Sequence, residues 1–301
     1  MTSDDEPIRY EAPPKVTPLT GDEMAPDPAT LAAMFWLVRR YSSYAYIERC
    51  HDLLKIARDA FAMWARTATD VDNGSLRGTT RVFDGAVGDL AVGLGRIKNG
   101  DRTPGYDSIR EALGFREALQ DPRSERCLSL AELQEHLGPA VGLALTRACD
   151  MALRIEHTLA ATWTAETILA DRPSLHTRPR HLPSPLPPVP PAEAVPPVAT
   201  KRGVKQTGIY LPTTIRDVCP NLLFAGHRAP PLPRACERID YAGFPDDPDE
   251  PPWTDYEYRR DEPTEWRLHW PDERYRDGLV LPDPEYREYM DGDTAIPEGL
   301  A

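Results

Sequence analysis

The sequence of 301 residues has little of what membrane-spanning and secreted proteins require. It contains no run of about 18 consecutive apolar residues that could cross a bilayer as a helix. Its first residues, MTSDDEPIRYEAPPK, lack the basic region and the apolar stretch of a secretory signal. We therefore expect a cytoplasmic protein that does not enter a membrane.

Motifs for catalysis and metal binding are also missing. The five cysteines are an odd number, widely scattered and without a C-x-x-C pair, so we expect reduced thiols rather than zinc or redox chemistry. The seven histidines include no H-E-x-x-H pair, and neither a Walker motif nor a G-x-S-x-G elbow occurs. We predict no catalytic residue, no cofactor and no metal site. An enzyme would need a site assembled from dispersed residues such as Glu156, His157 or His227.

Two local patterns resemble chemical motifs but are explained better by helix structure. The stretch GLGRIKNG, from Gly93 to Gly100, looks like a nucleotide-binding loop, yet no strand precedes it and it lies late in an amphipathic pattern. Small residues for close helix packing, followed by a helix end, account for it. Cys50 and His51 are adjacent in a predicted helix, where neighbouring side chains point apart, so they do not form a nucleophile and its base.

Lysine is absent from the last fifth of the chain, where the negative charge is concentrated. From Glu237 to Ala301 there are 20 acidic residues, 7 arginines and no lysine, a local charge of −13. The rest of the chain carries 28 acidic and 28 basic residues, so this segment accounts for the whole formal net charge of −13. An acidic surface with a specific role explains this distribution better than general solubility does.

Proline is abundant, with 33 residues, and its distribution divides the chain. Residues 1–25 are polar and broken by prolines, and we interpret them as a loose arm. Residues 26–171 are predicted to form a helical bundle. Ten prolines between Pro173 and Pro197 predict an extended, polyproline II linker over residues 172–203, which we favour over a ligand for an SH3-like module. Residues 204–301 form an acidic, aromatic segment.

Apolar residues recur every three or four positions in the predicted bundle and indicate five or six helices. The YSSY sequence at Tyr41–Tyr44 marks either a break between two helices or a site inside one long helix. After the turn-like DVDNGSLRGTT, a helix is predicted around residues 82–97. Ser129 and Glu132 have the spacing of a capping box, and proline begins a further helix predicted over Pro139–Ala170.

The C-terminal segment has β-prone residues punctuated by prolines, and EWRLHW alternates as a strand does. We expect a few short β-strands and much irregular backbone. Because prolines and acidic residues leave too little apolar surface for a separate core, the segment is expected to pack on the helical bundle through tyrosine, tryptophan and leucine side chains. The predicted class is thus mainly α: an N-terminal helical bundle, a proline-rich strut and an irregular C-terminal segment.

Acidic and aromatic residues are interleaved in FPDDPDEPPWTDYEYRRDEPTEWRLHWPDE, from Phe244 to Glu273. The carboxylates repel phosphate and disfavour direct binding of nucleic acid, whereas an acidic surface with aromatic anchors complements a basic protein. The predicted partner-binding residues are Asp246, Asp247, Asp249, Glu250, Trp253, Asp255, Tyr256, Tyr258, Asp261, Trp266 and Trp270. The alternative is that the aromatic residues dock the segment onto its own helices while the acidic residues face water.

Two stretches, TGIYLPTTIRDVCPNLL and PTEWRLHW, carry a resemblance to a known group of proteins. With a mostly helical N-terminal region before them, they resemble helical immunity-protein families encoded in bacterial polymorphic-toxin and type VI secretion loci. The matching residues are Gly208, Ile209, Tyr210, Leu211, Pro212, Cys219, Glu265 and Trp266. The resemblance implies a non-enzymatic inhibitor that binds a cognate toxin and blocks its active site. The proline-rich strut and the acidic tail depart from the family pattern.

From these observations we predict a cytoplasmic immunity protein that neutralises a cognate toxin through an acidic, aromatic surface complementing a basic cleft. An adaptor or chaperone that delivers a secretion effector without inhibiting it is one alternative, and an enzyme with a dispersed active site is another. The sequence leaves open whether the protein forms a homo-oligomer.

Overall fold

The computed structural model describes residues 15–19, 26–122, 126–169, 182–214, 217–241, 253–280 and 295–300. The helices are α1 (Pro28–Tyr41), α2 (Tyr44–Trp64), α3 (Asn73–Lys98), α4 (Arg102–Ala112), α5 (Phe115–Gln120), α6 (Leu130–Leu137), α7 (Pro139–Leu159) and α8 (Ala165–Leu169). The strands are β1 (Lys15–Pro18), β2 (Val198–Ala199), β3 (Gly208–Pro212), β4 (Asn221–Leu223), β5 (Leu232–Tyr241), β6 (Trp253–Glu262) and β7 (Glu265–Pro271). The chain is mainly helical with antiparallel strands, which agrees with the mainly α part of the predicted class.

Ser42 and Ser43 separate α1 from α2. The YSSY sequence therefore marks a break between two helices and not a site inside one long helix. The Ser42 hydroxyl donates a hydrogen bond of 2.8 Å to the Val38 carbonyl at the end of α1. The Ser43 hydroxyl accepts from the Tyr46 amide at 3.2 Å and thereby caps the start of α2. Because these side chains satisfy backbone groups at both helix ends, the chain breaks here with little loss of hydrogen bonding.

Helix boundaries differ from the prediction at α3 and α7. Helix α3 begins at Asn73, inside the stretch that looked turn-like, because the Asp72 carboxylate accepts hydrogen bonds from the amides of Gly74 and Ser75. Helix α7 ends at Leu159, well before Ala170, and is followed by a left-handed backbone conformation at Ala161. The predicted capping box is confirmed, since the Ser129 and Glu132 side chains each bond to the other residue's backbone amide.

Helices α3 and α4 approach each other closely at two glycines. A Cβ atom added to Gly93 would lie 2.5 Å from Cγ1 of Ile109, and one added to Gly105 would lie 2.8 Å from Cγ1 of Ile97. Only glycine fits at such separations. The GLGRIKNG stretch is therefore a helix-packing segment, and it ends at Gly100, which has a φ of +83°.

The strands form two antiparallel sheets, with strand orders β2-β7-β3-β4 and β1-β5-β6. The four-stranded sheet lies between two apolar clusters. Ile209 of β3 belongs to the main cluster with the helices, whereas its neighbour Tyr210 belongs to a smaller cluster with Trp266 and Leu268 of β7. Alternate residues of β3 therefore pack on opposite faces, and the whole strand is buried.

The sequence analysis predicted a few short strands but not this three-stranded sheet. Strands β5 and β6 have ten residues each, longer than the short strands that were predicted. Residues of the supposed loose arm, Lys15–Pro18, pair with Glu237–Asp240 of β5. The charged residues on these strands obscured their alternation, because a strand with two largely polar faces lacks the apolar repeat from which strands are predicted.

The proline-rich stretch lies against the protein over residues 182–197. The Glu193 amide donates to the Leu268 carbonyl at 2.8 Å, and the His269 Nδ1 atom lies 2.9 Å from the Pro190 carbonyl oxygen. Leu186 and Val189 pack on the main apolar cluster. This part of the predicted linker is therefore docked along β7 and is not a spacer, while residues 172–181 lie outside the described ranges.

Candidate partner-binding site

Most of the acidic, aromatic sequence from Phe244 to Glu273 belongs to the hairpin of β5 and β6, residues 232–262, which we call the acidic hairpin. Its base is the pair Leu232–Glu262, and its far end is the pair Tyr241–Trp253. Ten residues of strand span about 30 Å at roughly 3.3 Å per residue. The hairpin and its connection contain ten acidic residues and four arginines, a local charge of −6.

The acidic hairpin is anchored at its base. Leu232 and Ala235 are buried, and Leu232 packs in the smaller apolar cluster with Trp266. Beyond Ala235, the described side chains of β5 are half-buried or exposed, and Arg238 is engaged by Asp240 through a hydrogen bond of 2.8 Å. Among the described side chains of β5 beyond Ala235, none belongs to either apolar cluster.

Nine of the eleven predicted partner-binding residues belong to the acidic hairpin or its connection. Five of these nine residues lie on strand β6: Trp253, Asp255, Tyr256, Tyr258 and Asp261. The side chains of these five lie outside the described part of the structure. Asp246, Asp247, Asp249 and Glu250 belong to the connection between β5 and β6, which also lies outside the described ranges.

The other two predicted residues, Trp266 and Trp270, contact the protein's own chain. The Trp266 side chain is 1% exposed, and its indole nitrogen donates to the Pro230 carbonyl at 2.8 Å. The half-buried Trp270 ring contacts two guanidinium groups, those of Arg39 and Arg274. The buried Trp266 therefore serves the internal docking that was the alternative to partner binding, whereas a role of the half-buried Trp270 in binding a partner stays a prediction.

A buried ion pair fixes the chain immediately after β7. The Asp272 side chain is fully buried, and its carboxylate accepts from Nε of Arg274 at 2.9 Å and lies 3.0 Å from Nη2 of Arg102. Arg274 also donates to the Arg39 carbonyl and to the Ser42 hydroxyl, at the end of α1. The C-terminal segment is thereby tied to the α1–α2 junction and to the start of α4.

The Asp272 carboxylate remains charged in this position. Burial raises its pKa, but the attraction of Arg274 and then of Arg102 outweighs burial, so the pKa of Asp272 lies below its ordinary value. Because β6 continues into β7 through Pro263 and Thr264, this ion pair also holds the strand from which the acidic hairpin extends.

The residues considered for a dispersed active site have separate partners. Glu156 pairs with Arg116 at 2.9 Å, His157 Nδ1 lies 2.8 Å from the Thr162 hydroxyl, and the His227 ring packs on Phe224. Over the described ranges, no hydrogen bond or ion pair joins Glu156, His157 and His227 to one another. Nor do three or more potential metal ligands come together within those ranges.

Two of the buried cysteines, Cys50 and Cys149, are not activated as nucleophiles. Burial raises the pKa of the Cys149 thiol to about 12, with a smaller contribution from Asp150. Burial likewise raises the pKa of Cys50, whose sulfur atom lies 3.5 Å from the Ala148 carbonyl oxygen. Both thiols are therefore neutral near pH 7 and act as apolar core groups.

The sequence analysis missed a basic pocket at the boundary between the helices and the C-terminal strands. Arg110 of α4 reaches the same pocket as His227 and Arg228, which follow β4. The neighbouring His227 and Arg228 were visible in the sequence, but their proximity to Arg110 depends on tertiary packing. A sequence pattern alone does not bring residues more than a hundred positions apart into one site.

Compared with protein-family models, with curated proteins and with solved structures, the chain gives no match. Of the helices in the described ranges, none has both the length and the apolarity needed to cross a membrane. The interpretation of the site therefore depends on the chain's own charge, packing and geometry.

Proposed function

We propose that this chain is an immunity protein that binds and neutralises a cognate bacterial toxin. The observation that carries the proposal is the acidic hairpin: it has ten acidic residues against four arginines on two strands and their connection, and Leu232 anchors the base of β5 in the smaller apolar cluster. A concentrated negative potential on such an arm attracts a basic protein surface and accelerates encounter with it. The resemblance of residues 207–223 and 263–270 to immunity proteins agrees with this role.

The partner that fits this chemistry is a toxin with a basic active-site cleft, such as a nuclease or a nucleotide-modifying enzyme. Carboxylates of the hairpin would occupy the positions that substrate phosphates take in such a cleft. The aromatic residues of β6 would supply contact area that carries binding energy. Inhibition in this mechanism is steric and electrostatic, so it needs neither a catalytic residue nor a cofactor.

The proposed place of action is the cytoplasm, where such a toxin meets its substrate. The ligand in this proposal is a protein, and neither direct nucleic-acid binding nor membrane binding is part of it. A homo-oligomer is compatible with the mechanism as long as the acidic hairpin stays accessible to the toxin.

Co-expression with the candidate toxin encoded by the adjacent reading frame tests the proposal. We expect the chain to restore growth and to form a complex in which toxin activity is lost. A toxin that keeps full activity in a stable complex would contradict inhibition. A chain that is needed for export of the effector but gives no protection would instead be an adaptor.

The role of the acidic hairpin is tested by neutralising its connection with Asp246→Asn, Asp247→Asn, Asp249→Asn and Glu250→Gln in one variant. The matched control removes four exposed charges from the helical part of the chain: Asp70→Asn, Asp89→Asn, Glu111→Gln and Glu135→Gln. Both variants change the net charge equally. We expect protection to be lost only in the hairpin variant, and equal loss in both would show that total charge, not the hairpin, matters.

A further inference from the structure

Strand β6 is an outer strand of the three-stranded sheet. The strand order β1-β5-β6 places β5 between the other two, so in the described part of the chain β6 pairs along only one of its two edges. It runs from Trp253 to Glu262, and β5 accompanies it over this length. A long outer strand presents a row of unpaired amide and carbonyl groups to which a further strand can pair.

One hydrogen bond between β5 and the end of β1 shows which way the backbone groups of β5 point. The Leu19 amide, just after β1, donates to the Cys236 carbonyl of β5 at 2.9 Å, so Cys236 turns its backbone groups towards β1. Backbone groups of successive strand residues point to opposite edges, and Glu237 and Ile239 therefore alternate with those that face β1. Pro18, which has no amide hydrogen, lies opposite Glu237 and agrees with this assignment. Glu237 and Ile239 thus face β6.

The register of the hairpin extends this assignment to β6. Ile239 lies opposite Asp255, so Asp255 exchanges backbone hydrogen bonds with β5. The residues on either side of it, Thr254 and Tyr256, then turn their amide and carbonyl groups away from β5. The pairing is continuous over residues 253–257, beyond the two irregularities of this ladder. The outer edge of β6 is therefore formed there by the backbone groups of Thr254 and Tyr256.

Charge determines which kind of strand this outer edge attracts. Residues 237–257 contain eight acidic residues and one arginine, a local charge of −7. Glu257, next to the outward-facing residues, has an exposed side chain. A second copy of the chain would bring the same negative charge to the edge, and repulsion disfavours that pairing. An extended basic segment supplies the opposite charge together with the missing backbone partners.

We propose that the outer edge of β6 binds an extended, basic segment of a partner protein as an additional strand of the sheet. The backbone groups of Thr254 and Tyr256 pair with this segment, and the carboxylates of the acidic hairpin attract its lysine and arginine side chains. The identity of the partner as the toxin rests on the proposed function. The mode of docking rests on the sheet edge and its charge.

Amide hydrogen exchange of the full-length protein, followed by NMR, tests the orientation and the docking. In the free protein we expect the Asp255 amide to exchange slowly and the amides of Thr254 and Tyr256 to exchange rapidly. The probe is an acetylated and amidated peptide of alternating lysine and threonine, which is basic and contains a strand-forming residue at every second position. When the peptide saturates the protein, exchange at Thr254 and Tyr256 should slow by about tenfold or more, because both amides then donate to the added strand.

Two further peptides separate backbone pairing from charge. One carries a methyl group on every backbone amide, so it keeps its lysines but has no amide hydrogen to donate. The other has glutamate in place of lysine and keeps the backbone. In titration calorimetry we expect each to bind at least about tenfold more weakly than the lysine–threonine peptide. Equal binding of the methylated peptide would overturn the proposal, since charge alone would then explain the attraction, and equal binding of the glutamate peptide would overturn the basic partner.

Proline at position 254 tests the edge from the side of the protein. Thr254→Pro removes an outward amide and leaves the pairing with β5 intact, because outer strands accept proline where the amide faces solvent. The matched variant Thr254→Ala removes the same side chain and keeps the amide. We expect Thr254→Pro to bind the lysine–threonine peptide at least about tenfold more weakly than Thr254→Ala. Thermal unfolding shows whether both variants keep the fold, and equal binding by two folded variants would contradict the proposal.

The same pair of variants separates this proposal from the proposed function. If the unaltered chain neutralises the toxin and Thr254→Pro protects as well as Thr254→Ala, the toxin does not dock on this edge although the immunity function stands. If the unaltered chain neutralises no toxin, the proposed function fails, and the peptide measurements still test whether the edge takes up a basic strand.

Other occupants of the edge give a different result in the free protein. Slow exchange at Thr254 and Tyr256 without any peptide would show that the edge is already covered. Analytical ultracentrifugation then distinguishes a second copy, which gives a dimer, from a segment of the same chain, which leaves a monomer. Either result would overturn the proposal of a basic partner strand.

Discussion

The guanidinium groups of Arg39 and Arg274 both pack on the ring of Trp270, each 4.8 Å from the ring centroid. Arg39 belongs to α1 and Trp270 to β7, so this contact joins the first helix to the last strand. The same Arg274 pairs with the buried Asp272. The C-terminal strands are consequently part of the folded body, and the acidic hairpin extends from a fixed base.

Replacing Asp272 by asparagine should destabilise the protein strongly. The substitution leaves Arg274 and Arg102 buried without their counter-charge, and removal of one partner of a buried ion pair costs about 3–5 kcal/mol. Urea unfolding measures the change in the free energy of unfolding. The exposed neighbour Asp277 provides the control Asp277→Asn, for which we expect a change within about 0.5 kcal/mol. Equal stability of the two variants would contradict the role of Asp272.

The contribution of Asp272 to the free energy of unfolding should decrease as the pH falls. Its pKa is lowered in the folded protein, so its stabilisation is complete above the unfolded value of about 3.9 and is lost as the pH falls through the lower, folded value. The difference in unfolding free energy between the unaltered protein and Asp272→Asn should therefore shrink on acidification below about pH 4. A difference that grows on acidification would have the wrong sign.

Truncation of the Trp266 side chain should destabilise the fold and not only weaken binding of a partner. The buried ring packs in the smaller apolar cluster, and its removal as Trp266→Ala should cost about 3–5 kcal/mol. Denaturant unfolding provides the measurement, with Met63→Ala, at a side chain 67% exposed, as the neutral control. If Trp266→Ala were as stable as the unaltered protein but no longer bound toxin, Trp266 would return to the partner-binding residues.

Two glycines of α3 should respond to alanine with opposite signs. A Cβ atom on Gly93 would lie 2.5 Å from the Ile109 side chain, so Gly93→Ala should destabilise by about 1–3 kcal/mol. A Cβ atom on Gly85 would meet nothing within 4 Å, so Gly85→Ala should stabilise the helix by up to about 1 kcal/mol. Thermal unfolding distinguishes the two cases. Stabilisation by both would show that α3 and α4 are not closely packed there.

If the proposed function holds, association with the toxin should weaken as salt increases. Screening shortens the reach of the hairpin's charges to about 8 Å at physiological ionic strength. We expect the association rate constant, measured by stopped-flow, to fall about tenfold or more between low and high salt. In the variant with a neutral connection the rate should be lower and its salt dependence flatter. A rate that does not change with salt would remove the acidic hairpin from the encounter step.

The sequence predicted local features well where a single chemical signal was decisive. The capping box of Ser129 and Glu132 and the small-residue packing of the GLGRIKNG stretch follow from neighbouring residues and are present in the structure. The pairing of β1 with β5 did not follow, because charged residues hid the strand alternation. The basic pocket was missed because Arg110 and Arg228 meet only through tertiary packing.

The pairing of Lys15–Pro18 with Glu237–Asp240 has a consequence for the order of synthesis. The N-terminal strand leaves the ribosome first, but its partner follows more than two hundred residues later. Contacts with such a sequence separation form late, whereas helices close locally and quickly. We expect the three-stranded sheet to assemble only after translation of the hairpin, so a truncated nascent chain would carry its helices while still lacking the acidic hairpin.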